Sequence, residues 1–333
     1  MLRFDVHHAL DAAERAAVID LVGREQHRTG HRPVSDQAWL ELVHGGPTWH
    51  AAVTCRTDTG IPASPDELLA ICLIGRSAAW TLEVVVDRDR ADDDRPGRYA
   101  LVHGVLAAAS DEIARAGGGD VRWWLFDAGD DADALAASAG LAPGRALLQM
   151  LVELPLVGRS DGRPSVHTRP FEVGRDERAW LEVNNAAFAW HPEQGIWDIA
   201  ALELRESEDW FDPAGFLLHE RDGRLAAFCW TKIHHDVDPV QGEIYVIAVH
   251  PDFHGAGLGR ALTVAGLDHI VSRGVTTGML FVDLDNTSAV RLYESLGFHV
   301  HRVDRAYTGH VPAAVDAPPT GAEPTAPTDQ EHP

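Results

Sequence analysis

The 333-residue chain is poor in several residue types, and each scarcity excludes something. Its three cysteines, Cys55, Cys72 and Cys229, are too few and too scattered for a disulfide framework or a cysteine zinc site. No run approaches the roughly 20 apolar residues that cross a bilayer. The opening MLRFDVHHALDAAER has no apolar centre of the kind a signal peptide carries. The chain is therefore expected in the cytoplasm, without a membrane partner. Basic residues are also scarce: 28 against 51 acidic ones, a formal charge of −23. That balance argues against nucleic acid as a partner, because a phosphate backbone demands a clustered basic face. Only one lysine is present, Lys232, against abundant arginine, alanine, glycine and aspartate, the composition of a GC-rich genome.

Apolar residues make up 45% of the chain, enough to fill real cores, so global disorder is excluded. The 19 histidines never place two on one helical face with a base between them. Adjacent pairs such as His7-His8 and His234-His235 point in different directions on a helix or a strand, so no metal site is expected.

Two compositional breaks organise the chain. Leu154–Ser165 (LPLVGRSDGRPS) clusters Pro and Gly between patterned segments, and the stretch from Val311 to Pro333 is rich in Pro, Ala and Thr. The expected domains are residues 1–155 and 165–310, each roughly 150 residues, with a disordered tail at 311–333. The two halves repeat one order of elements. An acidic helix (DAAERAAVIDLVGREQHR; DERAWLEVNNAAFAW) precedes an apolar strand (TLEVVVDRD; GEIYVIAVHPD). A long helix (ALVHGVLAAASDEIARAG; LGRALTVAGLDHIVSRG), a second strand (VRWWLF; TGMLFVD) and a short helix ending in glycine follow in each. Crossover helices between strands predict an α/β fold with a mixed, partly parallel sheet in each half.

The segment with chemical content is EIYVIAVHPDFHGAGLG, Glu243 to Gly259. A strand runs through a proline turn into Gly255, Gly257 and Gly259, just ahead of a long helix. Glycines let backbone approach a ligand closely, and unpaired N–H groups with the helix dipole make the helix start an anion site suited to a diphosphate. Such a site is built from backbone and so is compatible with an acidic chain. A single glycine-rich connection is more often only a turn. Here it is joined by DNTSAVRLYESLGF, where Asn286 precedes a short helix carrying Tyr293 and closing at Gly297-Phe298.

Together, H-x-x-G-x-G and N-x-x-A-x-x-x-Y-E-x-x-G-F resemble the GCN5-related N-acetyltransferase (GNAT) superfamily. The segments VNNAAFAWHPEQG, DWFDPAG, CWTKIH and GEIYVIAV are similar to a narrower group within it, actinobacterial enzymes built from two tandem acetyltransferase domains. The likeness is dense from Phe171 to Tyr307 and looser before it, where RAAVIDLV, PVSDQ and ALLQM carry it. The resemblance implies two tandem GNAT domains, acetyl-CoA as co-substrate, and acetyl transfer to the cysteinyl amine of a cysteine–glucosamine–inositol conjugate, a small thiol glycoside, by a monomer.

The same resemblance implies residue roles. Glu243 stands at the base position, taking a proton from the substrate amine directly or through water, and also at a substrate contact. Tyr293 stands at the position of the acid that meets the departing coenzyme A sulfur. The backbone at Ile247, Ala248 and Val249 would pair with pantetheine. His254 (where Gln or Arg is usual), Gly255, Ala256 (where Arg is common), Gly257, Leu258, Gly259 and Arg260 would cradle the pyrophosphate. Asn286, Thr287, Ser288, Ala289, Val290 and Arg291 would line the other flank. Glu193 and Lys232 match substrate contacts; Asp36 stands for a usual Glu, Phe281 for a frequent Tyr, and Asp283 for a common Glu. In the first half, VVVDRDRADDDRPGRYALV keeps only Gly97 of the glycine set, and Asp92-Asp93-Asp94 would repel a diphosphate. That half is expected to be a non-catalytic partner that helps close the substrate cleft, with vestigial coenzyme binding through Val84, Val85 and Val86 at most. Two alternatives stay open: acetyl transfer to another small-molecule or peptide amine, and a catalytically silent coenzyme A-binding module.

Overall fold

The structure is a computed structural model, and it describes residues 2–44, 49–57, 68–76, 78–88, 95–129, 131–157, 166–189 and 197–315. The first half runs β1 (Leu2–His7), α1 (Ala12–Thr29), α2 (Asp36–His44), β2 (Trp49–Thr57), β3 (Leu68–Arg76), β4 (Trp80–Val86), α3 (Arg95–Arg115), β5 (Gly119–Leu125), α4 (Ala132–Ser138) and β6 (Ala142–Glu153). The second half repeats that order: β7 (Arg169–Pro170), α5 (Glu177–Ala187), α6 (Ile199–Glu206), β8 (Phe216–Arg221), β9 (Arg224–His234), β10 (Gln241–Val249), α7 (Leu258–Ser272), β11 (Thr277–Asp283), α8 (Thr287–Glu294) and β12 (His299–Val311). The repeat expected from the sequence is thus realised element for element.

Local chemistry sets the boundaries. Asp11 accepts from the backbone N–H groups of Ala13 and Glu14 at 2.8 and 2.9 Å, a capping box that starts α1. Gly30, at φ 73°, ends it. The β8–β9 hairpin turns on Asp222-Gly223, both with positive φ, the two-residue turn whose twist matches the strands it joins.

The chain forms two compact units that do not follow the expected break at 155–165. One comprises Met1–Arg145 and Asp304–Pro333; the other is Ala146–Val303. The reason is an exchange of final strands. In the first unit, β12 pairs antiparallel with β5, from Arg305↔Leu125 to Val311↔Gly119. In the second, β6 pairs antiparallel with β11, from Leu147↔Asp283 to Glu153↔Thr277. The strand orders are β1-β2-β3-β4-β5-β12 and β6-β11-β10-β9-β8-β7. The Pro/Gly break marks a connection between repeats, not a boundary between cores. The expected tail also begins too early, since Val311 still belongs to β12 and the Ala314 N–H donates to the Ala114 carbonyl at 2.9 Å. Residues 316–333 lie outside the described residues.

In each unit helices cover both faces of a mixed sheet. The second unit packs Leu262, Leu267 and Ile270 of α7 on one face, and Trp180, Val183 and Leu202 of α5 and α6 on the other. Gly266 permits the close approach of α7, because a Cβ there would lie 2.6 Å from Cys229 Sγ. Phe216 stacks between Phe171 and Trp230 at 4.3 Å from each, and Trp180 meets Phe216 edge-on. Side chains of this size stabilise by about 1.5–3 kcal/mol each when fully buried.

In the first unit, Tyr307 of β12 is fully buried beside Trp123, with ring centroids 5.8 Å apart, and donates to Asp133 at 2.8 Å. Tyr307→Ala should therefore destabilise the first unit by about 3–5 kcal/mol, the usual cost of deleting a buried aromatic. Hydrogen exchange should show this as lost protection in β4 and β5, with β10 little changed, although residue 307 belongs to the second sequence repeat.

Candidate active site

The site is built around a ladder that stops early. β10 and β11 run parallel and pair only at Gly242↔Gly278, Glu243↔Met279 and Ile244↔Leu280. On its other edge β10 stays paired with β9 as far as Val249↔Ala227, with a bulge that inserts Tyr245 between Ile244 and Val246. A bulge bends its strand and increases the local twist, carrying β10 away from β11. Beyond Ile244 one edge of β10 has no ladder partner among the described residues, and Ile247, Ala248 and Val249 line a cavity of ≈ 640 Å³.

After β10 the chain makes a 3-10 turn, Pro251–Phe253, and enters the glycine loop. Gly255 and Gly257 have φ of 82° and 73°, the left-handed region that side-chain-bearing residues avoid. Gly257 is the N-cap of α7 and offers no side chain to its first N–H groups. His254 turns back so that its Nε2 lies 3.0 Å from the Val249 carbonyl. The opposite wall comes from α8, whose first turn Asn286 caps by accepting from the Ala289 N–H at 3.2 Å. Arg260 donates to Ser295 Oγ at 2.8 Å, tying the two helices at the rim.

Most of the residues expected at the coenzyme come together here. Ile247, Ala248, Val249, His254, Gly255, Gly257, Leu258, Gly259, Arg260, Asn286, Ser288, Ala289 and Tyr293 all line the cavity. Ala256, Thr287, Val290 and Arg291 are neighbours in sequence that do not line it. Phe253, Thr263, Leu292 and Ser295 do, and were not expected. Thr263 follows Gly259 by four residues, one helical turn, and bonds its carbonyl at 2.8 Å, a spacing that marks the same helix face. Among the described lining residues there is no carboxylate, so the cavity presents backbone N–H groups and Arg260 in a chain of formal charge −23.

Tyr293 is 8% exposed and packs edge-on against Phe298. Burial, and then the neighbouring Cys229, push its hydroxyl well above the ordinary tyrosine value, so it is neutral and able to donate. Glu243 is 6% exposed and lies outside the cavity lining. Its Oε2 lies 2.7 Å from Nε2 of His234, and His234 Nδ1 is 4.0 Å from Asp236. His234 shares a strand face with Lys232, which sits directly across from Glu243. The adjacent pair His234-His235 had suggested only two divergent side chains. The hairpin register, which sequence does not supply, selects His234 as the partner.

Lys232 is itself buried, with Nζ 4.4 Å from the ring centre of Trp210 and 5.1 Å from that of Tyr245. Arg205 donates to the Tyr245 hydroxyl at 2.9 Å and lies 4.0 Å from the ring centre of Trp197. Two cations thus share one aromatic cage on the face that carries Glu243.

The remaining expected residues are dispersed. Phe281 is 36% exposed on β11, with the Arg302 guanidinium 5.7 Å from its ring centre. Asp283 closes β11 and accepts from the Asp285 N–H at 2.9 Å. Asp36 belongs to the first unit, at the start of α2, 3.7 Å from Arg32. Glu193 lies outside the described residues, as do Asp92, Asp93 and Asp94. Val84, Val85 and Val86 occupy in β4 the place that the cavity-lining residues occupy in β10. There too the parallel ladder stops early, at Glu83↔Trp124, while pairing to β3 continues to Val86. The segment that follows is held by ion pairs instead: Asp87 with Arg24 at 2.9 Å, and Arg88 with Glu25.

A mixed sheet with a prematurely ended parallel ladder, a glycine turn at a helix start and a buried phenol define the GNAT class of acetyltransferases. The sequence model described as the acetyltransferase (GNAT) family matches residues 180–298. A tandem GNAT protein from the clavulanic acid biosynthesis pathway superposes at TM-score 0.66 with 16% identity, covering 94% of this chain and 100% of that one. The chain belongs to the mycothiol acetyltransferase family. It is 41% identical over 302 residues to the mycothiol acetyltransferase of Thermobispora bispora, spanning 88% of this chain and 95% of the relative. It is also 35% identical over 316 residues to that of Acidimicrobium ferrooxidans, spanning 92% and 99%.

The position of Tyr293 has a measurable consequence. A raised folded-state value favours the protonated hydroxyl, so its stabilising contribution is complete below the ordinary value of 10.0 and is lost as pH climbs through the higher folded value. In an ultraviolet titration of the folded protein, Tyr293→Phe should leave the rise in phenolate absorbance through pH 10 unchanged. The variant should also lose less stability than the parent chain above that pH.

Proposed function

We propose that this enzyme transfers the acetyl group of acetyl-CoA to the cysteinyl amine of desacetylmycothiol, the cysteine–glucosamine–inositol conjugate, giving mycothiol and CoA in the last step of mycothiol biosynthesis. The observation that carries the reading is the meeting, in one cavity with no carboxylate among its described lining residues, of a β10 edge without a ladder partner there, the uncapped start of α7 and the neutral hydroxyl of Tyr293. Family membership supplies the thiol substrate.

Acetyl-CoA fits the donor set. Its pantetheine amides would find backbone groups of Ile247–Val249 on the edge that β11 leaves free, other than the Val249 carbonyl that His254 meets, and its diphosphate would find the N–H groups of Leu258, Gly259 and Arg260. When bound, it supplies a thioester as the acetyl donor. The chain's own groups handle the protons. Glu243, oriented by His234, accepts one from the attacking amine as the C–N bond forms. The Tyr293 hydroxyl gives its proton to sulfur as the C–S bond breaks. A low-dielectric setting keeps the phenol protonated until that moment.

Glu193 and Phe281 are proposed contacts for the polyhydroxylated part of the acceptor. Lys232 is proposed to act on the same acceptor through its charge, its ammonium being enclosed by aromatic rings. The first unit is proposed to be non-catalytic, its strand end being occupied by the Arg24–Asp87 and Arg88–Glu25 pairs.

Mass spectrometry of the purified chain with acetyl-CoA should show acetyl transfer to the cysteinyl conjugate in preference to glucosamine–inositol or free cysteine. Equal transfer to an unrelated amine would overturn the substrate assignment. Glu243→Gln and Tyr293→Phe should each lower kcat by about a hundredfold or more, while calorimetry still finds one tight acetyl-CoA site per chain. Two tight sites would refute the non-catalytic first unit. His234→Ala should cost kcat roughly tenfold by leaving the base unoriented, without changing KM for acetyl-CoA. His234→Gln, which keeps an N–H donor, should recover part of the loss.

A further inference from the structure

The first unit gathers three side chains from separate elements around one point. His8 follows β1, His50 lies on β2 and Glu112 lies on α3. Nε2 of His50 is 3.4 Å from Glu112 Oε1, and Nε2 of His8 is 3.7 Å from the same oxygen. All three atoms lie within 4.8 Å of one another. Both nitrogen–oxygen separations exceed a good hydrogen bond. The 3.4 Å separation matches the edge of a coordination tetrahedron, since zinc–nitrogen and zinc–oxygen bonds of about 2.0–2.2 Å set ligand atoms about 3.3–3.5 Å apart, and the 3.7 Å separation is slightly wider.

Each ligand is also turned toward the point by a second partner. Nδ1 of His8 lies 3.4 Å from the His50 carbonyl, which leaves its Nε2 facing Glu112. Arg115 binds the other carboxylate oxygen, Oε2, leaving Oε1 to the histidines. The His50 ring is wedged edge-on against Trp80 at 4.8 Å, and its Nε2 is buried without a hydrogen-bond partner among the described residues. A buried ring nitrogen without a partner is costly unless something fills the place of the missing donor or acceptor. Outer partners that fix ring orientation are what histidine ligands of metals ordinarily have.

We propose that His8, His50 and Glu112 form a binding site for a divalent transition-metal cation of the zinc or cobalt class, separate from the acetyl-transfer site. Two imidazoles and a carboxylate suit such borderline cations and not calcium or magnesium, which take oxygen ligands. Because His8 is largely exposed, a fourth position is open to water. The cation would clamp the start of the β1–α1 connection to β2 and α3. The sequence expectation of no metal rested on ligand spacing within one element, and this set is assembled only by folding.

The test is titration of the untagged, full-length chain with CoCl2, after chelation and desalting. One Co(II) per chain should bind, with the visible bands of a four- or five-coordinate ion, and ZnCl2 should bleach them. His8→Ala removes an exposed side chain and should fold normally while weakening Co(II) binding at least about tenfold. Glu112→Gln, with its fold checked by circular dichroism, should do the same. His310→Ala, at an exposed histidine of the same unit paired with Asp120, should bind as the parent chain does. Saturating ZnCl2 should raise the Tm of the parent chain and leave that of His8→Ala unmoved. Failure to bind Co(II) saturably, or parental affinity in His8→Ala, would show that the three residues form only an ion pair.

Discussion

The candidate site depends on the place where two parallel strands cease to pair. Three rungs join β10 to β11, ending at Ile244, and the extra residue Tyr245 turns the strand away immediately afterwards. Backbone groups stripped of a ladder partner must find water or a ligand, and here they face an open cavity. The same bulge lets Tyr245 face the aromatic cage while Ile247 faces the cavity. Glu243 sits one rung below the divergence, held by pairing on both edges, so its carboxylate is placed by rigid backbone. A straight β10 would have closed the cleft and left the glycine turn with nothing to cradle.

The electrostatics follow from keeping charges apart. The chain carries an excess of carboxylates, yet none lines the cavity among the described residues. The single lysine is withdrawn under Trp210 and Tyr245, opposite Glu243. Positive potential at the start of α7 then comes from fixed peptide dipoles and Arg260, which need little reorganisation to meet a negative charge. In the first unit the comparable strand end is filled by internal ion pairs. The early end of the parallel ladder nevertheless persists there, at Glu83.

What could be read from the sequence was whatever local chemistry determines. Capped helices, the apolar strands, the glycine turn at Gly255 and Gly257, and the short helix carrying Tyr293 are all signalled within a few residues of where they form. The repeat was legible for the same reason. Pairing between distant segments was not. Nothing in Ala142–Glu153 or His299–Val311 announces that each completes the other repeat's sheet, because both have the alternation of an ordinary strand. His234 escaped notice because its alignment with Glu243 is set by hairpin register. His8, His50 and Glu112 escaped it because three unrelated elements bring them together.

The exchange of β6 and β12 also bears on the chain's birth. Synthesis proceeds from the N-terminus, so the first five strands of the leading unit leave the ribosome long before residues 305–311 exist. Until they do, β5 presents an unpaired edge, and Trp123 lacks the tyrosine that later covers it. The leading unit therefore cannot finish folding before β12 has been made, and its maturation waits for residues 305–311. The trailing unit receives β6 early and is the one able to close first.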